Sequence, residues 1–145
     1  ILDKEVQRKA LLNIKDHLYS GGILSLNTFY PNHEILANQI ESEETDFSHR
    51  FTYINSDGNK EKVYNSVTYN PETQIMSGKW LFEEYNGDGE IISKRERPLK
   101  LRCTFKTEME YLFEICGFKI KEVYGSYDKT EPKYPGSLIW VVERE

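Results

Sequence analysis

Three turn signals constrain this chain more than any single residue does. Ser-Asp-Gly-Asn-Lys at 56–60, Asn-Pro-Glu-Thr at 70–73 and Gly-Asp-Gly at 87–89 are Asp-Gly and Asn-Pro combinations of the kind that close hairpins. Around them run four extended segments rich in aromatic and β-branched residues: HRFTYIN, KVYNSVTYN, QIMSGKWLFEEYN and EIISKRERPLKLRCTF. Four strands joined by tight turns form an antiparallel meander. Pro98 belongs at a bend or a sheet edge, because proline has no N–H to give to a ladder.

The flanks follow a different period. From Asp3 to Leu18 the apolar residues Val6, Ala10, Leu11, Ile14 and Leu18 recur at three- and four-residue spacing, which predicts an amphipathic helix. Gly21 and Gly22 end it, since a left-handed cap carries no steric penalty at glycine. The run Ile23–Phe29 is mostly apolar and is expected to be a strand covered on both faces. A short helix is expected in the segment that leaves it through Pro31. Farther on, KTEMEYLFEICG returns to helical spacing, with Thr107 as N-cap, Glu110 three residues on and Gly117 closing the helix. FKIKEVYG and SLIWVVE supply two last strands.

With 145 residues the chain is expected to form a single domain. It divides into a helix and strand at 1–40, an antiparallel β cap at 41–106, and a helix with two closing strands at 107–145. Tyr, Phe and Trp make up 13% of it and all apolar residues 38%, so the core should be compact and aromatic. A net charge of -5 argues against a nucleic-acid partner held through phosphates. No segment approaches the roughly 18 apolar residues that span a bilayer, and no membrane partner is expected. Cys103 and Cys116 form no CxxC pair, which suits two buried free thiols in a cytoplasmic protein.

Residue chemistry alone names no enzyme. The Asp-Gly turns fail as calcium loops: in EYNGDGEIISKR the twelfth position is Arg95 and the first is Glu84. His17, His33 and His49 have no metal-ligand spacing, so no metal is assigned. His17 suits a cation at the negative end of the first helix. His33 follows the C-terminal end of an apolar strand, where open α/β sheets place ligands; a plain loop histidine is the other reading. Lys94, Arg95, Arg97, Lys100 and Arg102 form a basic run that meets either an anionic substrate or the acidic segment ESEETD. The aromatics Phe51, Tyr53, Tyr64, Tyr69, Trp80 and Phe82 form a buried sheet face, a dimer contact or a ligand-cavity wall. No GxSxG elbow, phosphate loop or GxGxxG turn occurs.

The order of elements carries a resemblance that no single motif does. Helix, "HLYSGG", strand "ILSLNTF", antiparallel excursion, helix "TEMEYLFEICGF" and two strands together resemble the C-terminal half of a class I S-adenosylmethionine-dependent methyltransferase. Leu18 to Gly22 matches the Leu-x-Pro-Gly-Gly that precedes that family's fifth strand, with Ser20 where proline is common. Cys116, Gly117, Phe118, Tyr124 and Gly125 match its later helix, Gly-Phe, strand and Tyr-Gly signature. The meander resembles the β cap of the small-molecule members. The implied fold class is α/β, or α+β for a fragment: the C-terminal half of a Rossmann-like sheet with an inserted four-stranded antiparallel meander.

The resemblance implies an acceptor side without a cofactor side. The Gly-rich turn and the ribose-binding acid of the family have no counterpart in this chain. S-adenosylmethionine is thus expected as cofactor of a longer parent, and no cofactor-binding residue is assigned here. Positions matching the family's acceptor contacts are Asn27, Phe29, Tyr30, Arg102 and Tyr127. His33 and Asp128 are the candidate proton acceptors. The expected function is the acceptor-binding and capping portion of a small-molecule methyltransferase, inactive alone. The alternative is a non-enzymatic ligand-binding or dimerisation module. Either reading leaves an apolar strand edge open, and a homo-oligomer through that edge or the β cap is expected.

Overall fold

The computed structural model describes residues 1–40, 42 and 46–145. Its elements run α1 (Lys4–Asp16), β1 (Ile23–Tyr30), α2 (His33–Asn38), β2 (Ser48–Ile54), β3 (Lys60–Asn70), β4 (Ile75–Tyr85), β5 (Ile91–Arg102), α3 (Lys106–Ile115), β6 (Phe118–Tyr124) and β7 (Gly136–Arg144). They form two compact units. One joins Ile1–Glu34 to Arg102–Glu145, and the other is Ile35–Leu101. No helix among the described residues is long and apolar enough to cross a membrane.

The first unit is a three-stranded sheet in the order β1-β7-β6 with helices α1 and α3. β7 lies antiparallel to both neighbours, pairing Leu26 with Trp140 on one side and Val123 with Trp140 on the other. Leu11, Met109, Phe113, Cys116, Phe118, Leu138, Trp140 and Val142 make its core. Phe113 stands 5.3 Å from the indole of Trp140 and 6.3 Å edge-on from Phe118, so the core is aromatic as its composition demands.

Local chemistry sets the helix ends. Asp3 caps α1 by accepting the Val6 N–H at 2.9 Å. At the other end His17 takes the C-cap position with Nδ1 2.8 Å from the Asn13 carbonyl. The Arg144 guanidinium donates to the carbonyls of Lys15 (2.7 Å) and Leu18, placing a cation where the helix dipole is negative. Within the expected apolar stripe only Leu11 is buried, while Val6 and Ile14 are exposed. Leu18 of the same stripe packs against the core beside it, together with Leu12 from outside the stripe. The cap of α3 also differs from expectation. Phe105, not Thr107, is the N-cap residue, and its N–H donates to Glu108 at 2.8 Å. The helix therefore starts two residues earlier, because a glutamate three residues after the cap supplies the acceptor whatever side chain sits there.

β1 departs from expectation as well. Its residues alternate between exposed (Ile23, Ser25, Asn27, Phe29) and half-buried (Leu24, Leu26, Thr28, Tyr30), so only one face is covered. The apolar run hid a period of two, since Ile23 and Phe29 sit on the open face.

The second unit is the expected meander, four antiparallel strands in the order β2-β3-β4-β5. The first and third turns are built alike. The Asn55 side chain accepts from the N–H groups of Asp57 and Asn59, and Asn86 accepts from Asp88 and Glu90. Each turn then passes through a left-handed glycine, Gly58 or Gly89, as a type I turn followed by a bulge requires. Pro98 lies in β5, an edge strand. Gly78 is needed for another reason: a Cβ there would sit 1.9 Å from the Ser66 carbonyl oxygen.

Two residues of the basic run, Lys94 and Arg95, pair inside this sheet. Arg95 donates to the buried Glu61 at 2.7 Å and lies over the Phe82 ring. Lys94 contacts Glu83 at 2.7 Å and Lys79 contacts Glu96 at 3.4 Å. Carboxylates of the same sheet, on β3 and β4, thus meet Arg95 and Lys94; most of ESEETD lies outside the described residues.

Candidate functional site

All seven candidate site residues fall in the first unit. They come from the end of β1, the start of α2, the end of β5 and the loop between β6 and β7. A cavity of about 370 Å³ is lined by Ile1, Gln7, Asn27, Thr28, Phe29, Arg102 and Thr104, a volume at the small end for ligand sites. A second hollow of about 170 Å³ shares Gln7, Arg102 and Thr104 and adds Lys4, Glu108 and Leu112. Arg102 also donates to the Leu2 carbonyl at 3.4 Å.

Two further hollows lie elsewhere. One of about 320 Å³ sits between hairpin ends of the meander beside Lys60, Lys62 and Tyr85. Another of about 530 Å³ runs along α3 and β6. Neither includes a candidate site residue, and the Arg102 cavity includes three.

The remaining candidates gather nearby. The Asn27 amide points at the Tyr127 hydroxyl at 3.5 Å, at the outer limit for a hydrogen bond. Tyr127 is 81% exposed. Asp128 follows it in an exposed turn, where its N–H donates to Ser126 Oγ at 3.3 Å. Tyr30 meets Tyr134 edge-on at 5.0 Å. The Tyr134 hydroxyl lies 2.7 Å from the backbone nitrogen of His33 and 2.9 Å from its Nδ1. The His33 ring rests against Phe105 at 4.9 Å.

Three residues at the site carried no functional reading in the sequence. Gln7 donates to Thr104 Oγ1 at 3.2 Å; it sits one turn before Leu11, and a polar residue on an apolar stripe was the available signal. Thr28 occupies a core-facing position of β1 and accepts the Trp140 indole N–H at 2.9 Å. Tyr134, about a hundred residues from His33, carried no local signal.

None of the nine glycines opens a cradle for a phosphate-like or nucleoside-like ligand. Those with free space beside them, Gly21, Gly58, Gly87 and Gly89, lie in turns outside the strand-to-helix connections. Gly22, Gly78, Gly125 and Gly136 face protein backbone, and Gly117 faces Lys15.

No family model matches the chain, and no curated protein does. Solved structures do. The CcbJ methyltransferase of Streptomyces caelestis superposes with a TM-score of 0.68 at 16% identity, over 100% of this chain and 56% of its own. This chain has a methyltransferase-like fold. An S-adenosylmethionine-dependent methyltransferase of Clostridium acetobutylicum matches with a TM-score of 0.67 at 14% identity, over 99% of this chain and 53% of its own. CalS10, an amino pentose methyltransferase from Micromonospora echinaspora, matches with a TM-score of 0.62 at 16% identity, over 95% and 50%. The chain spans about half the length of these neighbours. The methyltransferase-like fold carries its antiparallel sheets in a mixed α/β arrangement, as the resemblance implied.

Proposed function

We propose that this chain is the acceptor-binding and capping portion of an S-adenosylmethionine-dependent methyltransferase acting on a small molecule. The observation that carries the reading is the coincidence of the fold likeness with the cavity at the end of β1. Asn27, Phe29 and Arg102, assigned to the acceptor from the sequence, line one cavity. S-adenosylmethionine supplies the methyl group in the whole enzyme. The residues of this chain do not fit it, since no glycine cradle follows a strand, and no step through it is assigned to them. Their task is to bind the acceptor, orient its nucleophile and keep water out.

The test uses the longest natural polypeptide that carries this segment, with labelled S-adenosylmethionine and a panel of amines, amino sugars and hydroxylated small molecules. Methyl transfer to one class is expected. Asn27→Ala and Arg102→Ala should weaken acceptor use while leaving cofactor binding unchanged. No transfer and no cofactor binding by that polypeptide would end the reading in favour of a non-enzymatic module. The 145-residue chain alone is expected to give no thermal shift with S-adenosylmethionine.

We also propose self-association in a soluble compartment. β1 has no ladder partner on its outer edge among the described residues, and Ile23 and Phe29 are 50% and 41% exposed. Light scattering at rising concentration checks this; a strict monomer refutes it.

A further inference from the structure

One phenol oxygen makes two contacts to a single candidate residue. The Tyr134 hydroxyl lies 2.7 Å from the backbone nitrogen of His33 and 2.9 Å from Nδ1 of the same histidine. The backbone N–H has one possible role, as donor, so the phenol oxygen accepts it. The phenol keeps its own hydrogen for the second contact. Between a phenol and a neutral imidazole, the phenol is the stronger acid and the bare ring nitrogen the stronger base. The favoured bond therefore runs from Tyr134 O–H to Nδ1. A neutral imidazole carries one proton, and with Nδ1 accepting, that proton is on Nε2. Stacking on Phe105 at 4.9 Å and 32° fixes the plane in which Nε2 points.

We propose that Tyr134 is a positioning residue that holds neutral His33 in the Nε2–H form, so that His33 meets the methyl acceptor as a hydrogen-bond donor to oxygen. The role of proton acceptor is thereby removed from His33, because its Nδ1 lone pair is engaged and Nε2 has none free. The donor role rests on the methyltransferase reading; the tautomer does not. The acceptor class that follows is one with a hydroxyl, carbonyl or carboxylate oxygen beside the atom that is methylated.

Two experiments test the two halves separately. Nitrogen-15 spectra of the labelled 145-residue chain at about pH 8.5, well above the ordinary imidazole value, report the tautomer directly. His33 signals are identified by their loss in His33→Gln. A single Nε2–H form with a hydrogen-bonded Nδ1 is expected, and Tyr134→Phe should release Nδ1 and give a mixture of tautomers. An Nδ1–H form in the wild type, or spectra unchanged by Tyr134→Phe, overturns the proposal.

The donor role is read in the longer polypeptide by comparing His33→Gln with His33→Ala. Glutamine offers an N–H at the place of Nε2 and no base. It should stay within a few-fold of wild type, while alanine loses roughly tenfold in kcat/KM, the worth of one hydrogen bond. Equal losses in the two variants overturn the donor role. A wild type without any methyl transfer refutes the methyltransferase reading and the donor role with it, while the tautomer is still decided by the spectra.

Discussion

Thr28→Val isolates the bond that ties β1 to the core behind the site. Trp140 is fully buried, and its indole N–H donates to Thr28 Oγ1 at 2.9 Å. Valine keeps the shape and branching of threonine but removes the acceptor. The indole N–H is then left buried and unpaired, at a cost of about 1–3 kcal/mol. The methyl that replaces the hydroxyl lies at a half-buried position and offsets only a few tenths of the roughly 0.8 kcal/mol of a fully buried methylene. The net expectation is a loss of about 1–2 kcal/mol. For a chain of this size that is a fall of about 3–7 °C in melting temperature.

The decisive comparison is with Trp140→Phe, which removes the donor. In that background Thr28→Val should cost nothing or stabilise slightly, giving a coupling of about 1–2 kcal/mol in the double-mutant cycle. Urea unfolding followed by circular dichroism supplies all four free energies, and Thr28→Ser, which retains the acceptor, is the control. An equal cost for Thr28→Val with and without the indole would refute the reasoning, because the effect would then belong to the strand and not to the bond.

Three further expectations concern other parts of the chain. Lys94, by its hydrogen bond, and then Tyr85 hold the Glu83 carboxyl below the ordinary glutamate range. This contribution is present above the unfolded value near 4.5 and is lost as the pH falls through the lower folded value. Lys94→Met should therefore raise the acid midpoint of meander unfolding, and an unchanged midpoint refutes it. Gly78→Ala should disrupt the β3–β4 ladder at a cost above about 3 kcal/mol, since the added carbon would overlap the Ser66 carbonyl; native-like strand content at 25 °C counts against this. Burial pushes the Cys103 thiol up to about 11 and raises Cys116 in the same direction. A thiol reagent at pH 8 should label neither in the native protein and both in urea.

The meander was legible because its turns are local. Asn55 and Asn86 each close a turn with their own side chain, and Gly58 and Gly89 each supply a left-handed residue. The same holds for Gly117 at the end of α3. What failed were the readings that depend on neighbours. The one-sided covering of β1 follows from which strands flank it, and its apolar composition does not encode that. The carboxylates that meet Lys94 and Arg95 stand on β4 and β3, one and two strands away in the sheet order, which a charge count cannot see. For the site, Asn27, Phe29 and Arg102 were placed by family resemblance and lie along one cavity. Tyr134 and Thr28 were missed because their partners, His33 and Trp140, are more than a hundred residues away.

That long separation is itself informative about how the chain is assembled. Gln7 with Thr104, Asn27 with Tyr127, His33 with Tyr134 and Thr28 with Trp140 all join the two ends of the sequence across residues 35–101. The whole first unit is built from those two ends, so the meander is, topologically, one long loop closed by them. The ends of that loop are near each other, since the His33 ring rests on Phe105. A linker of about six residues reaches roughly 20 Å and suffices to span it. Replacing residues 35–101 with such a linker shortens the loop by three to four doublings, and each doubling is worth about 0.6 kcal/mol of closure entropy. If the first unit is self-contained, the shortened protein keeps the buried Trp140 and gains about 2 kcal/mol against urea from closure. Trp140 is then its single tryptophan, so fluorescence reads this unit alone. Red-shifted emission without a cooperative transition would show that the ends need the meander to fold, and the loop description would fail.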